Sequence, residues 1–175
     1  MADKIAINRI TNANVYMNGN VNLLGKVEEI TLPNIKIKTA EHKALGMIGA
    51  IELPSGLEKL EGKIKWTSFY EAELGTFAHP LKTIQLQVRG SLETYNALGL
   101  ASEVPVVGAL TILSKGLPLG AFKQNDNVEL ETDFAAYYVK LTVGGKDIVE
   151  VDVFANIYKA HGVDILANYR NNIGG

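Results

Sequence analysis

The residues of this 175-residue chain whose types could do chemistry are three histidines, a glycine-lysine turn, paired carboxylates and one aromatic cluster. His42, His79 and His161 stand alone, none at i, i+4 from a second ligand, so the spacing that holds zinc on a helix face is missing and exposed or locally hydrogen-bonded histidines are expected. Val143-Gly144-Gly145-Lys146-Asp147 contains Gly-Gly-Lys but lacks both the first glycine of a phosphate loop and the Ser/Thr after lysine, and reads as a β-turn. No Gly-x-Ser-x-Gly elbow occurs. Glu150 and Asp152 could form the carboxylate pair of a glycosidase, but on a regular strand with Lys140 opposite they read as surface ladder residues. Trp66, Phe69 and Tyr70 read as core anchors before a base or sugar platform. With no cysteine, disulfides, thiolate metal ligands and a cysteine nucleophile are excluded, and a reducing cytoplasm is compatible. The expectation is a protein that is not an enzyme and needs no metal or cofactor.

Lys plus Arg number 17 against 19 Asp plus Glu, a net charge of -2, which supplies no general attraction for nucleic acid or an anionic membrane. The N-terminus lacks the apolar segment of a signal peptide, and no run approaches the ~20 apolar residues of a membrane span. A chain of this length is expected to form one domain, residues 1–175, made inside the cell without membrane binding.

The elements that must position these residues are mostly strands. Tyr137 to Asp152 alternates almost without interruption. A three-residue loop at Gly144, Gly145 and Lys146 would pair Val143 with Asp147, Leu141 with Val149, Val139 with Val151 and Tyr137 with Val153 on one apolar face. Lys140 then falls opposite Glu150, and Tyr138 opposite Asp152. Gly144-Gly145 also suits a two-residue type I′ turn, but that register mixes Glu150 and Lys146 into the apolar face, so the hydrophobic pattern takes precedence. Period-2 alternation recurs at 15–17, 21–24, 27–32, 35–38, 60–69, 83–93, 104–113, 128–138 and 148–153, predicting an antiparallel β-sandwich or barrel. One short helix fits after Ser68, with Glu71 at capping-box spacing and Gly75 and Pro80 as stops. A C-terminal helix fits about 163–171, where Ile165, Leu166, Tyr169 and Ile173 recur at helical spacing, with Asp164 in its first turn, Arg170 in its last and Gly174 beyond. Residues 41–58 are too long for an ordinary connection and too apolar for a disordered one, and Gly46, Gly49, Pro54 and Gly56 break any helix. The preferred reading is a protruding arm covered by another chain; a lid on its own core is the alternative.

Two long stretches resemble a known family. The first, VYMNGNVNLLGKVEEITLPNIKIKTAEHKALGMIGAIELPSGLEKLEGKIKW, has a short hairpin, a Thr-Leu-Pro segment, a Lys-rich strand and a Gly-Met protrusion in family order. The second, YYVKLTVGGKDIVEVDVFANIYKAHGVDILANYRNNIGG, has a Tyr-Tyr/Lys-Leu hairpin, a Gly-Val-Asp helix and an Arg-Asn-x-Ile-Gly end. Together they are similar to the major tail tube proteins of contractile-tailed phages, the group typified by the phage P2 tube and the tubes of R-type pyocins. Residues 104–127 depart from the family, which is more charged there, and Gly-Gly replaces its usual Asp-Gly turn.

The resemblance implies a β-sandwich or barrel subunit that forms hexameric rings stacked helically into a hollow tube, a virion structure made in the host cytoplasm. Its partners would be further copies, a sheath protein outside, tape-measure protein and passing double-stranded DNA inside without tight binding, and baseplate and tail-terminator proteins. It assigns Gly46, Met47, Ile48, Gly49, Ile51, Leu53 and Pro54 to contacts with the adjacent ring or neighbouring subunit, and Tyr169, Arg170 and Ile173 to packing near a subunit boundary. A wall that conducts DNA must not hold phosphates through lysines, so the acidic stripe Glu129, Glu131 and Asp133, on one face of a strand, is the lumen candidate. The basic stripes Lys36/Lys38 and Lys63/Lys65 leave open a salt-bridged outer surface instead. The tube of a headless bacteriocin-like particle, and an unrelated monomeric ligand-binding β-barrel with an apolar cavity, are the remaining functional alternatives.

Overall fold

A computed structural model describes residues 5–174. The strands are β1 (Ile7–Met17), β2 (Val21–Asn22), β3 (Val27–Thr31), β4 (Ile37–His42), β5 (Ile51–Leu57), β6 (Glu61–Trp66), β7 (Ile84–Asn96), β8 (Gly99–Ser114), β9 (Leu130–Val143), β10 (Lys146–Asp152), β11 (Ile157–Ala160) and β12 (Val163–Asp164), with helices α1 (Glu71–Phe77) and α2 (Ala167–Ile173). Ten strands join one antiparallel sheet in the order β12-β11-β10-β9-β8-β7-β1-β2, with β3 and β6 attached through β9; β4 and β5 form a separate two-stranded ribbon. The two ends of this sheet do not pair, so the expected sandwich or barrel is realised as a mainly β, antiparallel fold without barrel closure.

The branch at β9 explains how one chain makes both layers. Its first half pairs with β6, from Leu130↔Trp66 to Ala135↔Glu61, and its second half pairs along the same edge with β10, from Tyr138↔Asp152 onward. Between them the register against β8 slips at Tyr137, where Thr111↔Tyr138 is followed by Ile112↔Ala136. A bulge of this kind bends a strand and shifts its alternation by one. Leu130, Thr132, Phe134 and Ala136 accordingly point inward before it, and Val139 after it. The core they build includes Ile64 and Trp66 from β6, Ile84, Leu86 and Val88 from β7, Leu110 and Ile112 from β8, and Leu74 and Phe77 from α1. Trp66 meets Phe77 edge-to-face at 5.3 Å and donates its indole N–H to Thr132 Oγ1 at 3.1 Å.

Several expectations are corrected. The β9–β10 turn is the two-residue Gly144-Gly145 type, both glycines having positive φ of 55° and 78°, with Val143 opposite Lys146 and Thr142 opposite Asp147. The hydrophobic register nevertheless holds from Leu141↔Val149 to Tyr138↔Asp152, because the ladder slips by one at Ile148. The turn demanded by Gly-Gly and the pairing demanded by the apolar face are reconciled by a bulge. Helix α1 is capped at Tyr70 without a side-chain bond, and Gly75 lies inside it. Helix α2 begins at Ala167 instead of near 163, because Val163 and Asp164 pair with β11; Gly174 does close it in the left-handed conformation at φ 80°. Phe69 is no core anchor: it lies at the surface, stacked on Phe122 at 5.7 Å.

Candidate assembly surfaces

Residues 41–58 contain a strand. β5 pairs with β4 from Ile37↔Leu57 to His42↔Ile51, with a register slip beside Thr39↔Pro54 that lets proline sit in a two-stranded ribbon. Apart from the half-buried Leu57 at its base, every residue of this ribbon is exposed, and its strands pack on each other instead of on the main sheet. The tip turns through Ala44–Met47, where the Met47 N–H reaches the Ala44 carbonyl at 3.2 Å and Gly46 takes φ 86°. Leu45 and Ile48 are fully exposed; Met47, Ile51 and Leu53 are also on the surface. The structure therefore brings Gly46, Met47, Ile48, Gly49, Ile51, Leu53 and Pro54 together on one projecting arm.

At the C-terminus, Tyr169 and Ile173 lie exposed one turn apart on α2. Arg170 is held within its own chain, with Nη2 2.5 Å from Asp164 Oδ2 and Nη1 donating to the Asn156 carbonyl at 2.9 Å. That guanidinium keeps the Asp164 carboxyl below its usual range.

Glu129, Glu131 and Asp133 share the solvent face where β9 meets β6, as period 2 predicts, and face the lysines of the neighbouring strand. Lys63 Nζ lies 2.6 Å from Glu131 and 3.8 Å from Asp133, and Lys65 Nζ lies 3.2 Å from Glu28 and 3.7 Å from Glu129. Four carboxylates against two ammoniums leave this patch acidic by two charges. The carboxylates raise both lysine pKa values.

The residues first weighed for chemistry lie apart. His42 is on the exposed arm, His79 accepts the Leu81 N–H at Nδ1, and His161 sits in the β11–β12 turn at φ 48°. Among the described residues no group of three or more His, Asp or Glu is placed to hold a metal. Lys140 bonds Asp147 at 2.9 Å, while Glu150 takes Lys159 at 3.1 Å and Tyr138 at 3.2 Å. Sequence reasoning missed a second projection. β7 and β8 continue to a turn at Ala97-Leu98, with the first half of β1 alongside, exposing Ile7, Ile10, Leu98 and Leu100. The Leu98-Gly99-Leu100 triplet after Asn96 was the available signal.

The family model for phage tail tube protein FII matches residues 7–174. The chain belongs to the phage tail tube protein FII family. It is 27% identical over 165 residues to the tail tube protein of Escherichia phage P2, covering 92% of this chain and 94% of that one. It is 26% identical over 153 residues to the major tail tube protein of Serratia phage KSP20, covering 86% of each. Solved structures share the fold at low identity. The sheath/tube terminator of an extracellular contractile injection system, PVC, in the extended state superposes with a TM-score of 0.55 at 12% identity, covering 77% of this chain and 95% of that one. The PVC sheath-tube complex gives 0.53 at 13%, covering 75% and 88%. The resemblance to tail tube proteins of contractile phages is thus established for the family.

Proposed function

We propose that this chain is a structural, non-enzymatic subunit that assembles into hexameric rings, and that the rings stack into the inner tube of a contractile phage tail, a passive conduit for DNA ejection. The observation that carries this is the β4–β5 arm, which, Leu57 at its base apart, is exposed along its length among the described residues and projects apolar side chains into solvent. Such an arm on a monomer is an aggregation hazard, whereas a head-to-tail contact through it closes rings or builds an open stack. Gly46, Met47, Ile48, Gly49, Ile51, Leu53 and Pro54 are its contact residues, and exposed Tyr169 and Ile173 mark α2 as a second boundary, with Arg170 fastening that helix.

In this reading Glu129, Glu131 and Asp133 line the lumen. Their surplus of negative charge over Lys63 and Lys65 supports that side, since counterion release from unpaired lysines would make DNA stick. Sheath protein would lie outside the tube, tape-measure protein and DNA inside, and baseplate and terminator proteins at its ends, in the virion. The sheath-tube and terminator assemblies that supply the structural neighbours favour the sheath and terminator partners. The higher identity to two phage proteins favours a phage over a headless particle. Electron cryomicroscopy of the purified chain is the test. Hollow tubes of stacked six-fold rings with Glu129 and Glu131 at the inner wall are expected. A persistent monomer at high concentration would remove the tube, and Glu129 facing the sheath would remove the lumen assignment alone.

A further inference from the structure

We infer that an apolar cleft at the root of the β4–β5 arm is the seat for the arm tip of a second copy of this chain. The inference rests on the tube reading and adds an acceptor for the arm. The cleft forms because the apolar face of β9 and β10 runs on past the closed core. Val139 is buried, but Leu141 and Val149 beyond it are only half covered, and the β3–β4 linker crosses above them with Leu32 and Ile35. Gly108 on β8 lines the cleft facing Leu32, to which a Cβ there would make an ordinary contact at 3.5 Å. The space is about 280 Å3, at the lower limit of small-molecule pockets and without their convergent polar groups. Its polar lining is Asn34 and Lys140, and Lys140 is already bonded to Asp147. These dimensions suit one or two aliphatic side chains.

The same chain presents such side chains. Leu45 and Ile48 have no cover of their own at the arm tip. They cannot enter the cleft of their own chain, because the linker that walls it leads directly into β4. Six residues of strand at ~3.3 Å each place the tip on the order of 20 Å from the root. Knob and seat therefore meet only between copies. Because they are different surfaces of one molecule, the contact is heterologous and repeats without self-limiting in pairs.

The absence of cysteine makes disulfide trapping specific. Ile48→Cys and Leu141→Cys are placed in one chain, with Ile48→Cys and Leu81→Cys, at a fully exposed site, as the encounter control. A bond within one chain is ruled out, since a disulfide spans at most about 7 Å between Cα atoms. Oxidised protein at assembly concentration is run on a non-reducing gel and imaged in parallel. A ladder of dimers, trimers and higher species, at least about tenfold stronger than the control and collapsed by reductant, is expected. Mixing the two single-cysteine chains should stop the ladder at dimers. Tubes without the ladder would overturn the seat and leave the tube reading standing. The ladder without tubes would support the seat and remove the tube reading. Neither would overturn both. If Leu141→Cys does not give the native circular dichroism spectrum, Leu32→Cys on the facing wall replaces it, with the same outcomes.

Discussion

Thr132 occupies a position that the alternation of β9 reserves for an apolar side chain, and the reason is the Trp66 indole 3.1 Å away. Both residues are fully buried, so the N–H has no solvent to fall back on, and an unpartnered buried donor costs about 1–3 kcal/mol. Thr132→Val, which keeps the shape, should lower unfolding stability by that amount in a denaturant titration; an unchanged midpoint would mean the indole bond contributes nothing. Glu73, on the buried face of α1, is a second polar group taken out of solvent, with its carboxylate 2.5 Å from Lys26 Nζ. The lysine's hydrogen bond depresses its pKa from the ordinary value of 4.5, against a desolvation that raises it. A depressed folded-state value means the ionised carboxylate is favoured by folding. Its contribution is complete above about pH 4.5 and is lost as pH falls through the folded-state value. Unfolding midpoints measured from pH 6 to 3 should therefore fall more steeply for the native chain than for Glu73→Gln. Parallel profiles would show that other carboxylates govern acid sensitivity.

Among the elements, β6 depends on one missing side chain. Gly62 lies opposite Phe134, and a Cβ there would stand 2.4 Å from the Phe134 ring and 2.5 Å from the Thr31 carbonyl. The ring covers the glycine, and one of the two contacts is backbone that cannot swing away. Gly62→Ala should destabilise by about 1–3 kcal/mol or more through overpacking, read as a lower thermal midpoint; a change within about 0.5 kcal/mol would show that β3 and β6 separate freely. This position was not legible beforehand, because it depends on which strand lies across from it. What was legible is instructive in the same way. The register from Leu141↔Val149 to Tyr138↔Asp152 followed from a buried face, and a one-residue slip would have exposed it. The turn and the Ile148 bulge did not follow, because a bulge satisfies two local rules that conflict in any regular ladder. The short strands β11 and β12 and the first half of β1 were missed, since strands near the rim of a sheet with no fully buried residue carry a weak alternation signal.

At the scale of the whole molecule, the projecting arm was legible because the seven residues proposed as contacts lie within nine positions of sequence, from Gly46 to Pro54, and apolar residues between strands need a cover. The cleft that we propose as its seat was not, because residues 32–35, 108–110 and 139–149 meet only after the sheet forms. Assembly and folding should consequently separate. Leu45, Met47 and Ile48 contribute nothing to their own core, so Met47→Asp with Ile48→Asp should leave the circular dichroism and thermal midpoint of the monomer unchanged. Across a subunit contact the same change removes aliphatic burial worth about 1.5–3 kcal/mol per side chain and asks two carboxylates to lose water without partners. A loss of ~3 kcal/mol per contact corresponds to about a hundredfold in affinity, and every contact in a polymer of identical subunits carries the change. The variant should stay monomeric by light scattering at concentrations about a hundredfold above those at which the native chain forms tubes. Tubes of normal length at the native threshold would place the assembly contact elsewhere, with the exposed Ile7, Ile10, Leu98 and Leu100 ledge next in line.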